Sequence, residues 1–208
     1  MSFNLPRVYP ITDARLSGLS HADQVKRLID AGATLIQLRD KQAAPHDFYR
    51  AAQAALRIAR DHDVTLIIND RVDIALTLKA DGVHLGQTDL PAAAARRLLG
   101  DGAIIGLSTH NIEQVQLAQQ HPINYIAFGP IFQTDTKEAP DPATGLRTLQ
   151  AVRHLMDLPL VAIGGISAEN AASIFAAGAD AVATISGVVA GPGRIAENLR
   201  RMLAAVPT

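Results

Sequence analysis

The sequence predicts an α/β protein that folds as a single (β/α)8 barrel, and three observations lead to this prediction. Eight short apolar runs alternate with amphipathic stretches along the 208 residues, as expected for parallel strands covered by helices. Glycine precedes several runs, within residues 30–40, 79–87 and 176–186, where it would end the preceding helix. Polar residues collect directly after the runs. The alternative is an open doubly wound sheet, but no G-x-G-x-x-G motif follows the first run.

The eight runs are predicted to be buried strands because they are short and almost wholly apolar. They occupy residues 8–12, 35–39, 65–69, 82–85, 104–108, 125–128, 160–163 and 181–185. Apolar residues between the runs recur at helical spacing, as in Leu146, Leu149 and Val152. No composition break divides the chain, so residues 1–208 are predicted to form one domain.

Composition excludes several classes of function. A net charge of −1 and 4% aromatic residues argue against a nucleic-acid partner. The chain has no cysteine, which excludes disulfides and thiolate chemistry. No signal-peptide core is visible, and no apolar run reaches the roughly 20 residues that cross a membrane. We expect a cytoplasmic protein with no membrane partner, and the sequence favours no particular oligomeric state.

The motif QLRDK ends the second run and places charge inside the predicted barrel. Gln37, Arg39 and Lys41 are two residues apart, so they share one side of an extended strand. Leu38 takes the other side, towards the helices. An inward arginine is costly unless it lies at the open mouth and pairs with an anion. The motif therefore favours an anion site, and a structural ion pair with Asp40 or another carboxylate is the alternative.

Two carboxylates follow neighbouring strands. Asp70 comes after the third run, beside Asn69, and Asp89 comes after the fourth. One or two carboxylates together with phosphate oxygens and water suit Mg²⁺. The alternatives are that Asp70 pairs with Arg71 and that Asp89 caps the next helix.

The sixth run leads into hydroxyls and an ammonium group. After Gly129 and the following proline come Thr134, Thr136 and Lys137, which suit an anionic ligand such as a phosphate. A second anion site is predicted where IGGI (163–166) and TIS (184–186) end the last two runs, because barrels often bind phosphate there. The segment GVV after the TIS motif is predicted to be a short helix. Glycines that serve only tight packing are the alternative.

Single polar residues at other strand ends are ambiguous. Ser108 could donate to a leaving phosphate or simply form a turn, and His84 and His110 could be structural. No Ser/His/Asp arrangement with a mechanism is apparent from the sequence.

Taken in order, these motifs cover nearly the whole chain, and the chain resembles the thiamine-phosphate synthase family. The motifs are YPITD (9–13), QLRDK (37–41), IINDR (67–71), DGVHLGQTD (81–89), IGLSTH (105–110), YIAFGPIFQTDTK (125–137), VAIGGI (161–166) and TIS (184–186). The resemblance implies Mg²⁺-dependent joining of a pyrimidine diphosphate to a thiazole phosphate. In that family the reaction is dissociative: pyrophosphate leaves, and the thiazole nitrogen traps the pyrimidine-methyl cation.

The resemblance also implies roles for the matching residues. The pyrimidine diphosphate would be held by Gln37, Leu38, Arg39, Asp40, Lys41, Asn69, Ser108 and Lys137. The thiazole phosphate would be held by Thr134, Asp135, Thr136, Gly165, Ile185 and Ser186. Asp70 and Asp89 would bind Mg²⁺. The catalytic residues would be Arg39, Ser108 and Lys137.

The chain departs from the family pattern at a few positions. Gln133 and Asp135 lie at variable positions, Thr184 replaces an aliphatic residue, and Gly187 replaces a more common alanine. Loops 40–47 and 133–144 are expected to close over the mouth and exclude water. Two rival functions are a thiazole tautomerase, which shares the barrel, and a phosphate-binding barrel without catalysis. Neither rival needs the two carboxylates.

Overall fold

A ring of eight parallel strands forms the centre of the molecule. The computed structural model describes residues 4–134, 142–191 and 193–207. Within them the strands pair in the order β1-β8-β7-β6-β5-β4-β3-β2. A parallel bridge between Ile11 and Gln37 joins the two ends of this order, and the Thr12 N–H donates to the Gln37 carbonyl at 2.9 Å. The predicted (β/α)8 barrel is confirmed.

The observed strands lie within two residues of the predicted ones. They are β1 Val8–Pro10, β2 Leu35–Leu38, β3 Thr65–Asn69, β4 Gly82–Leu85, β5 Ile104–Thr109, β6 Tyr125–Phe128, β7 Leu160–Ile163 and β8 Ala181–Thr184. The largest difference is at β1, predicted to reach residue 12. The chain turns there from pairing with β8 to pairing with β2, since Ile11 donates to Thr184 at 2.9 Å while Thr12 donates to Gln37.

Helices follow the strands around the ring. They are α1 Ala14–Ser17, α2 His21–Asp30, α3 Pro45–Asp61, α4 Val72–Leu78, α5 Ala92–Leu99, α6 Ile112–Ala118, α7 Gly145–Leu155, α8 Ala171–Ala176, α9 Ser186–Val189 and α10 Ile195–Ala205. The predicted short helix after the TIS motif is therefore confirmed as α9. No helix in the described part of the chain is both long and apolar enough to cross a bilayer.

Alternation along each strand sorts side chains into two layers. Residues such as Ile36, Leu38 and Leu66 pack outwards against the helices in one large apolar cluster. Inward residues form a second, smaller cluster that includes Tyr9, Tyr125 and smaller residues. Because all eight strands run in the same direction, their carboxyl ends lie at the same end of the barrel, and the residues that follow them meet there. That end carries the candidate site.

Candidate active site

A cavity of about 380 Å³ opens at the carboxyl ends of the strands. It brings together most of the residues that the sequence had proposed for binding or catalysis. They are Gln37, Arg39, Lys41, Asn69, Asp70, Asp89, Ser108, Thr134, Gly165, Ile185 and Ser186. The charged residues follow β2 to β4, and Ser108 lies near the end of β5, just before Thr109. The glycines and remaining hydroxyls follow β6 to β8, in the other half of the ring.

The motif after β2 places its alternate side chains as predicted. Gln37, Arg39 and Lys41 all line the cavity, whereas Leu38 is fully buried in the outer apolar cluster. The Arg39 guanidinium lies 3.3 Å from Asp13 Oδ2. Asp13 also caps α1, because its Oδ1 accepts from the Leu16 N–H at 2.9 Å. Arg39 is thus held by a carboxylate other than Asp40 while it still faces the cavity.

Asp40 has a different role from its neighbours and does not line the cavity. Its Oδ1 accepts from the N–H groups of Gln42 at 3.0 Å and Ala43 at 2.9 Å. Its Oδ2 lies 3.3 Å from Nε2 of the buried His21, whose Nδ1 is 2.8 Å from the Thr12 hydroxyl. Burial acts to raise the pKa of Asp40, but these hydrogen bonds outweigh it and lower the pKa. Asp40 thereby closes the turn between β2 and α3.

The two carboxylates predicted to bind metal lie side by side. Burial raises the pKa of Asp70, the neighbouring Asp89 adds to the rise, and the bond from Lys41 opposes it. Lys41 Nζ donates to Asp70 Oδ2, while Arg71 pairs with Asp73 instead. The alternative pairing of Asp70 with Arg71 is therefore wrong.

Asp89 is fixed by a backbone hydrogen bond, and Asp70 has an unfavourable backbone conformation. Asp89 Oδ2 accepts from the Gly86 N–H at 2.7 Å, which closes the turn after β4. Asp70 has φ of +61°, a conformation that a residue with a side chain adopts at an energetic cost. Strain and paired negative charge at one cavity wall are typical of a functional site.

The carboxylates of Asp70 and Asp89 are donors that fit Mg²⁺. No group of three or more His, Cys, Asp or Glu residues arranged to hold a metal occurs in the described ranges. Mg²⁺ does not require one, because it usually takes one or two carboxylates and completes its shell with water and substrate phosphates. Asp70 and Asp89 supply that number at the wall of an open cavity.

The structure pairs two residues that the sequence had left ambiguous as single polar residues, Ser108 and His84. Ser108 Oγ lies 2.8 Å from His84 Nε2, and His84 Nδ1 lies 2.9 Å from the Tyr125 hydroxyl. The pairing was missed because the two residues are 24 positions apart on neighbouring strands. In the register of β4 and β5, His84 is opposite Gly106, so Ser108, two residues further on, faces the same side.

Two tyrosines inside the barrel were also missed. The hydroxyls of Tyr9 and Tyr125 are 3.0 Å apart, and Gln37 Nε2 donates to Tyr9 at 3.1 Å. Burial raises the pKa of both phenols well above the ordinary tyrosine value. The available clue was a tyrosine within an otherwise aliphatic strand, since a buried phenol needs a hydrogen-bond partner.

Glycines bring the loop after β7 against the loop after β6. Gly164 and Gly165 have φ of +99° and +64°. A Cβ at Gly164 would lie 2.4 Å from Pro130 Cβ, and one at Gly165 would lie 2.6 Å from the Gln133 carbonyl oxygen. Tight packing is therefore a sufficient reason for both glycines, yet Gly165 also lines the cavity beside Thr134. The two interpretations of these glycines are compatible.

His110 is a further cavity residue. Its Nδ1 donates to the Gly129 carbonyl at 2.7 Å, and its backbone N–H donates to Gln114 at 2.8 Å. These bonds connect the end of β5 to the start of the loop after β6. Asp135, Thr136 and Lys137 lie outside the described residues, as does most of loop 133–144.

The family model for thiamine monophosphate synthase matches residues 8–188. The chain belongs to the thiamine monophosphate synthase family. It is 43% identical over 206 residues to the thiamine-phosphate synthase of Koribacter versatilis, covering 96% of each chain. It is 42% identical over 184 residues to the enzyme of that name from Clostridium novyi, covering 88% of this chain and 90% of that one.

Solved structures extend the family comparison. Thiamine phosphate pyrophosphorylase from Pyrococcus furiosus superposes with a TM-score of 0.85 at 31% identity, over 96% of this chain and 94% of that one. The family resemblance inferred from the motifs is therefore confirmed.

Proposed function

We propose that the protein is a thiamine-phosphate synthase. It joins a pyrimidine-methyl diphosphate to a thiazole phosphate, giving thiamine phosphate and pyrophosphate, and is thus a transferase. One observation carries the proposal: a single cavity holds Arg39, Lys41, Ser108 and two carboxylates in one half, and glycines and hydroxyls in the other. The first half suits a diphosphate with its metal, and the second suits a phosphate monoester. We retain the prediction of a cytoplasmic location, which rests on the sequence features given above.

The half of the cavity formed by β2 to β5 would stabilise the departing pyrophosphate. As the bond to the pyrimidine methylene breaks, negative charge grows on the leaving oxygens, and fixed donors lower the barrier by stabilising it. Arg39 is held by Asp13 at 3.3 Å, so its charge is already oriented. Lys41 and Ser108 line the same half. Lys137 keeps its predicted role as a further donor.

No residue has to act as a general base. The thiazole nitrogen is neutral and carries a free lone pair, so no proton has to be removed before the new carbon–nitrogen bond forms. The enzyme's tasks are to bind, to orient and to exclude water from the cation. This agrees with a cavity in which His84 and His110 are both already engaged in hydrogen bonds.

Asp70 and Asp89 would hold Mg²⁺. When bound, the ion would neutralise charge on the diphosphate. Lys41, which contacts Asp70, would then be released to contact the diphosphate.

The half of the cavity formed by β6 to β8 would bind the thiazole phosphate. Gly165, Ile185 and Ser186 line it together with Thr134, and Asp135 and Thr136 keep their predicted part in the same site. Because Gly165 has no side chain, its backbone can form part of the cavity wall that faces the ligand. Two phosphate sites in one cavity would hold the two substrates with their reacting atoms facing each other.

A thiazole tautomerase is the second candidate, because it would use the same thiazole-phosphate half. It would have no use for adjacent carboxylates beside Arg39 and Lys41, so the pairing of Asp70 with Asp89 favours the synthase. A non-catalytic phosphate-binding barrel would not need them either.

The test is to measure pyrophosphate release and thiamine phosphate formation with each substrate alone and with both, in the presence of Mg²⁺. We expect both products, in equal amounts, only when both substrates are present. Isomerisation of the thiazole phosphate without coupling would favour the tautomerase. Binding of either phosphate without turnover would favour the non-catalytic barrel.

A further inference from the structure

A chain of hydrogen bonds crosses the inside of the barrel from β2 to β5. We call it the relay, and it consists of Gln37, Tyr9, Tyr125, His84 and Ser108. Its four links measure 3.1, 3.0, 2.9 and 2.8 Å in that order. All members except Ser108 are buried, and the relay ends at the Ser108 hydroxyl on the cavity wall.

The first member sets the direction of the relay. The Gln37 amide nitrogen can only donate, so the Tyr9 oxygen accepts from it. The Tyr9 proton then has the Tyr125 oxygen as its acceptor, and the Tyr125 proton has Nδ1 of His84. If every N–H and O–H of the relay is to have an acceptor, Nδ1 of His84 must accept. The imidazole hydrogen is then on Nε2, which donates to Ser108. Burial raises the pKa of both phenols, so neither loses its proton near neutral pH.

The backbone of β5 makes room for the central link. A Cβ at Gly106 would lie 2.1 Å from Tyr125 Cζ and 2.6 Å from His84 Nδ1. The rings of His84 and Tyr125 stack with centroids 5.5 Å apart in the space that a side chain at Gly106 would occupy. The contact between the two rings therefore depends on glycine at this position.

We infer that His84 is a positioning residue whose Nε2–H fixes Ser108 as a hydrogen-bond donor to the cavity. Because the Ser108 oxygen accepts from His84, its own proton is directed away from the imidazole and towards a bound ligand. That ligand is the departing pyrophosphate, an identification that rests on the proposed function. The opposite tautomer, with the hydrogen on Nδ1, would accept the Ser108 proton and make the pair resemble the nucleophile and base of a hydrolase.

The tautomer can be measured without any substrate. Nitrogen-15 NMR of the imidazoles in the histidine-labelled protein separates a protonated Nε2 from a protonated Nδ1, and His84→Gln assigns the resonances by their loss. We expect a neutral ring with hydrogen on Nε2. Hydrogen on Nδ1 would overturn the inference. This result stands whether or not the protein couples the two substrates.

Kinetics test the consequence for turnover. Ser108→Ala should lower kcat about 100-fold, as for loss of one preorganised donor, and His84→Leu should lower it by a similar factor. The double variant should be no slower than Ser108→Ala, with the KM for thiazole phosphate unchanged in all three. His84→Gln, whose amide nitrogen can replace Nε2–H, should recover most of the loss. His154→Gln, at an exposed position on α7, is the control and should match the wild type.

Two kinetic outcomes would contradict the positioning role. One is a double variant in which the two losses multiply, and the other is a His84→Gln variant as slow as His84→Leu. A wild-type protein that forms no thiamine phosphate would instead refute the proposed function, and the NMR experiment would still decide the orientation of Ser108.

Discussion

At the scale of single residues, Asp70 combines several unfavourable features. Its φ is +61°, its carboxylate adjoins Asp89, and burial raises its pKa. Lys41 opposes the rise, but this lysine is largely exposed, so the pair contributes little to stability. A residue kept under these conditions is expected to serve function at the expense of stability.

Asp70→Asn should therefore stabilise the protein by about 1 kcal/mol in Mg²⁺-free buffer, because it removes one of two adjacent, partly buried charges. It should also abolish the rise in Tm that Mg²⁺ produces in the wild type. Thermal unfolding with and without Mg²⁺ checks both effects. Asp73→Asn, at a carboxylate exposed on α4, is the control and should keep the Mg²⁺ response. An equal response in Asp70→Asn would refute the metal assignment.

Thr184 and Gly187, where we expect departures from the family pattern, lie next to each other at the end of β8. A Cβ at Gly187 would lie 2.6 Å from Thr184 Oγ1 and 2.5 Å from the Ile166 carbonyl oxygen. Thr184 Oγ1 itself donates to that carbonyl at 3.2 Å. The hydroxyl at position 184 thus occupies space that a methyl group at position 187 would need. Both the Thr184 hydroxyl and the Ile166 carbonyl therefore favour glycine at position 187.

Gly187→Ala should lower the free energy of unfolding by about 1–3 kcal/mol through overpacking. The loss of stability should be smaller in a Thr184→Ala background, because the clash with Thr184 Oγ1 is gone. The loss that remains there is the cost of the clash with the Ile166 carbonyl oxygen. Urea unfolding of the four variants of this cycle measures the coupling. Gly193→Ala, where a Cβ meets nothing within 4 Å, should be close to neutral. Equal penalties in both backgrounds would show that the two positions are independent.

At the scale of elements, the turn between β2 and α3 is tied to the start of α2. Asp40 accepts from two backbone N–H groups of the turn and contacts His21, the first residue of α2. His21 in turn contacts Thr12, which follows β1. This connection crosses the point where the ring of strands closes between β1 and β2. It positions the turn that follows Arg39 and Lys41.

Asp40→Ala should lower the free energy of unfolding at pH 7 by about 2 kcal/mol, since two backbone donors lose their acceptor. The pKa of Asp40 is lower in the folded state. Its charge therefore stabilises the fold above the unfolded value of about 3.9, and this contribution is lost as pH falls through the folded pKa. Urea unfolding should show the difference from wild type narrowing in acid. The exposed Asp157→Ala variant should differ little from wild type at either pH, and a gap that widened in acid would contradict the assignment.

At the scale of the whole molecule, the barrel has an apolar outer layer and a partly polar interior. The outer cluster runs continuously between strands and helices. Inside the ring, Tyr9 and Tyr125 meet edge to face with centroids 5.9 Å apart, and Tyr9 also lines the cavity. The interior thus combines aliphatic side chains with a neutral, hydrogen-bonded pair of phenols, and its stability depends on the phenols keeping their protons.

Alkaline pH should therefore destabilise the fold. In the unfolded chain the phenols ionise near pH 10, whereas burial raises the folded pKa of Tyr9 and Tyr125. Below about pH 10 the free energy of unfolding should not change with pH through these phenols. Above that pH, and until the folded pKa is reached, each phenol should lower it by about 1.4 kcal/mol per pH unit. Urea unfolding at a series of pH values should show the free energy of unfolding falling with pH above about 10. In Tyr125→Phe that slope should be smaller by the contribution of one phenol, about 1.4 kcal/mol per pH unit.

The same two phenols can be observed directly by absorbance. The chain has three tyrosines, so Tyr49→Phe leaves only Tyr9 and Tyr125 to report. No phenolate absorbance should appear before this variant unfolds. Phenolate formation in the folded protein would contradict the buried network.

The strands and the strand-end residues were predictable because both depend on neighbours along the chain. A run such as Thr65–Asn69 is recognised from its own composition, and its observed bounds equal the predicted ones. Period-two alternation likewise placed Arg39 inside and Leu38 outside. Partners were not predictable in this way. Arg39 pairs with Asp13, 26 residues away, and Lys41 contacts Asp70, 29 residues away.

The barrel class, the family and many of the residues that line the cavity were predictable from the sequence, because strand and helix periodicity and local motifs depend on residues close together in the chain. Which of those residues contact one another follows only from the folded structure. Ser108 is paired with His84, Asp70 with Asp89, and Asp40 with His21. Each pair comes from two elements whose register is set by closing the whole ring, and that closure depends on all eight strands at once.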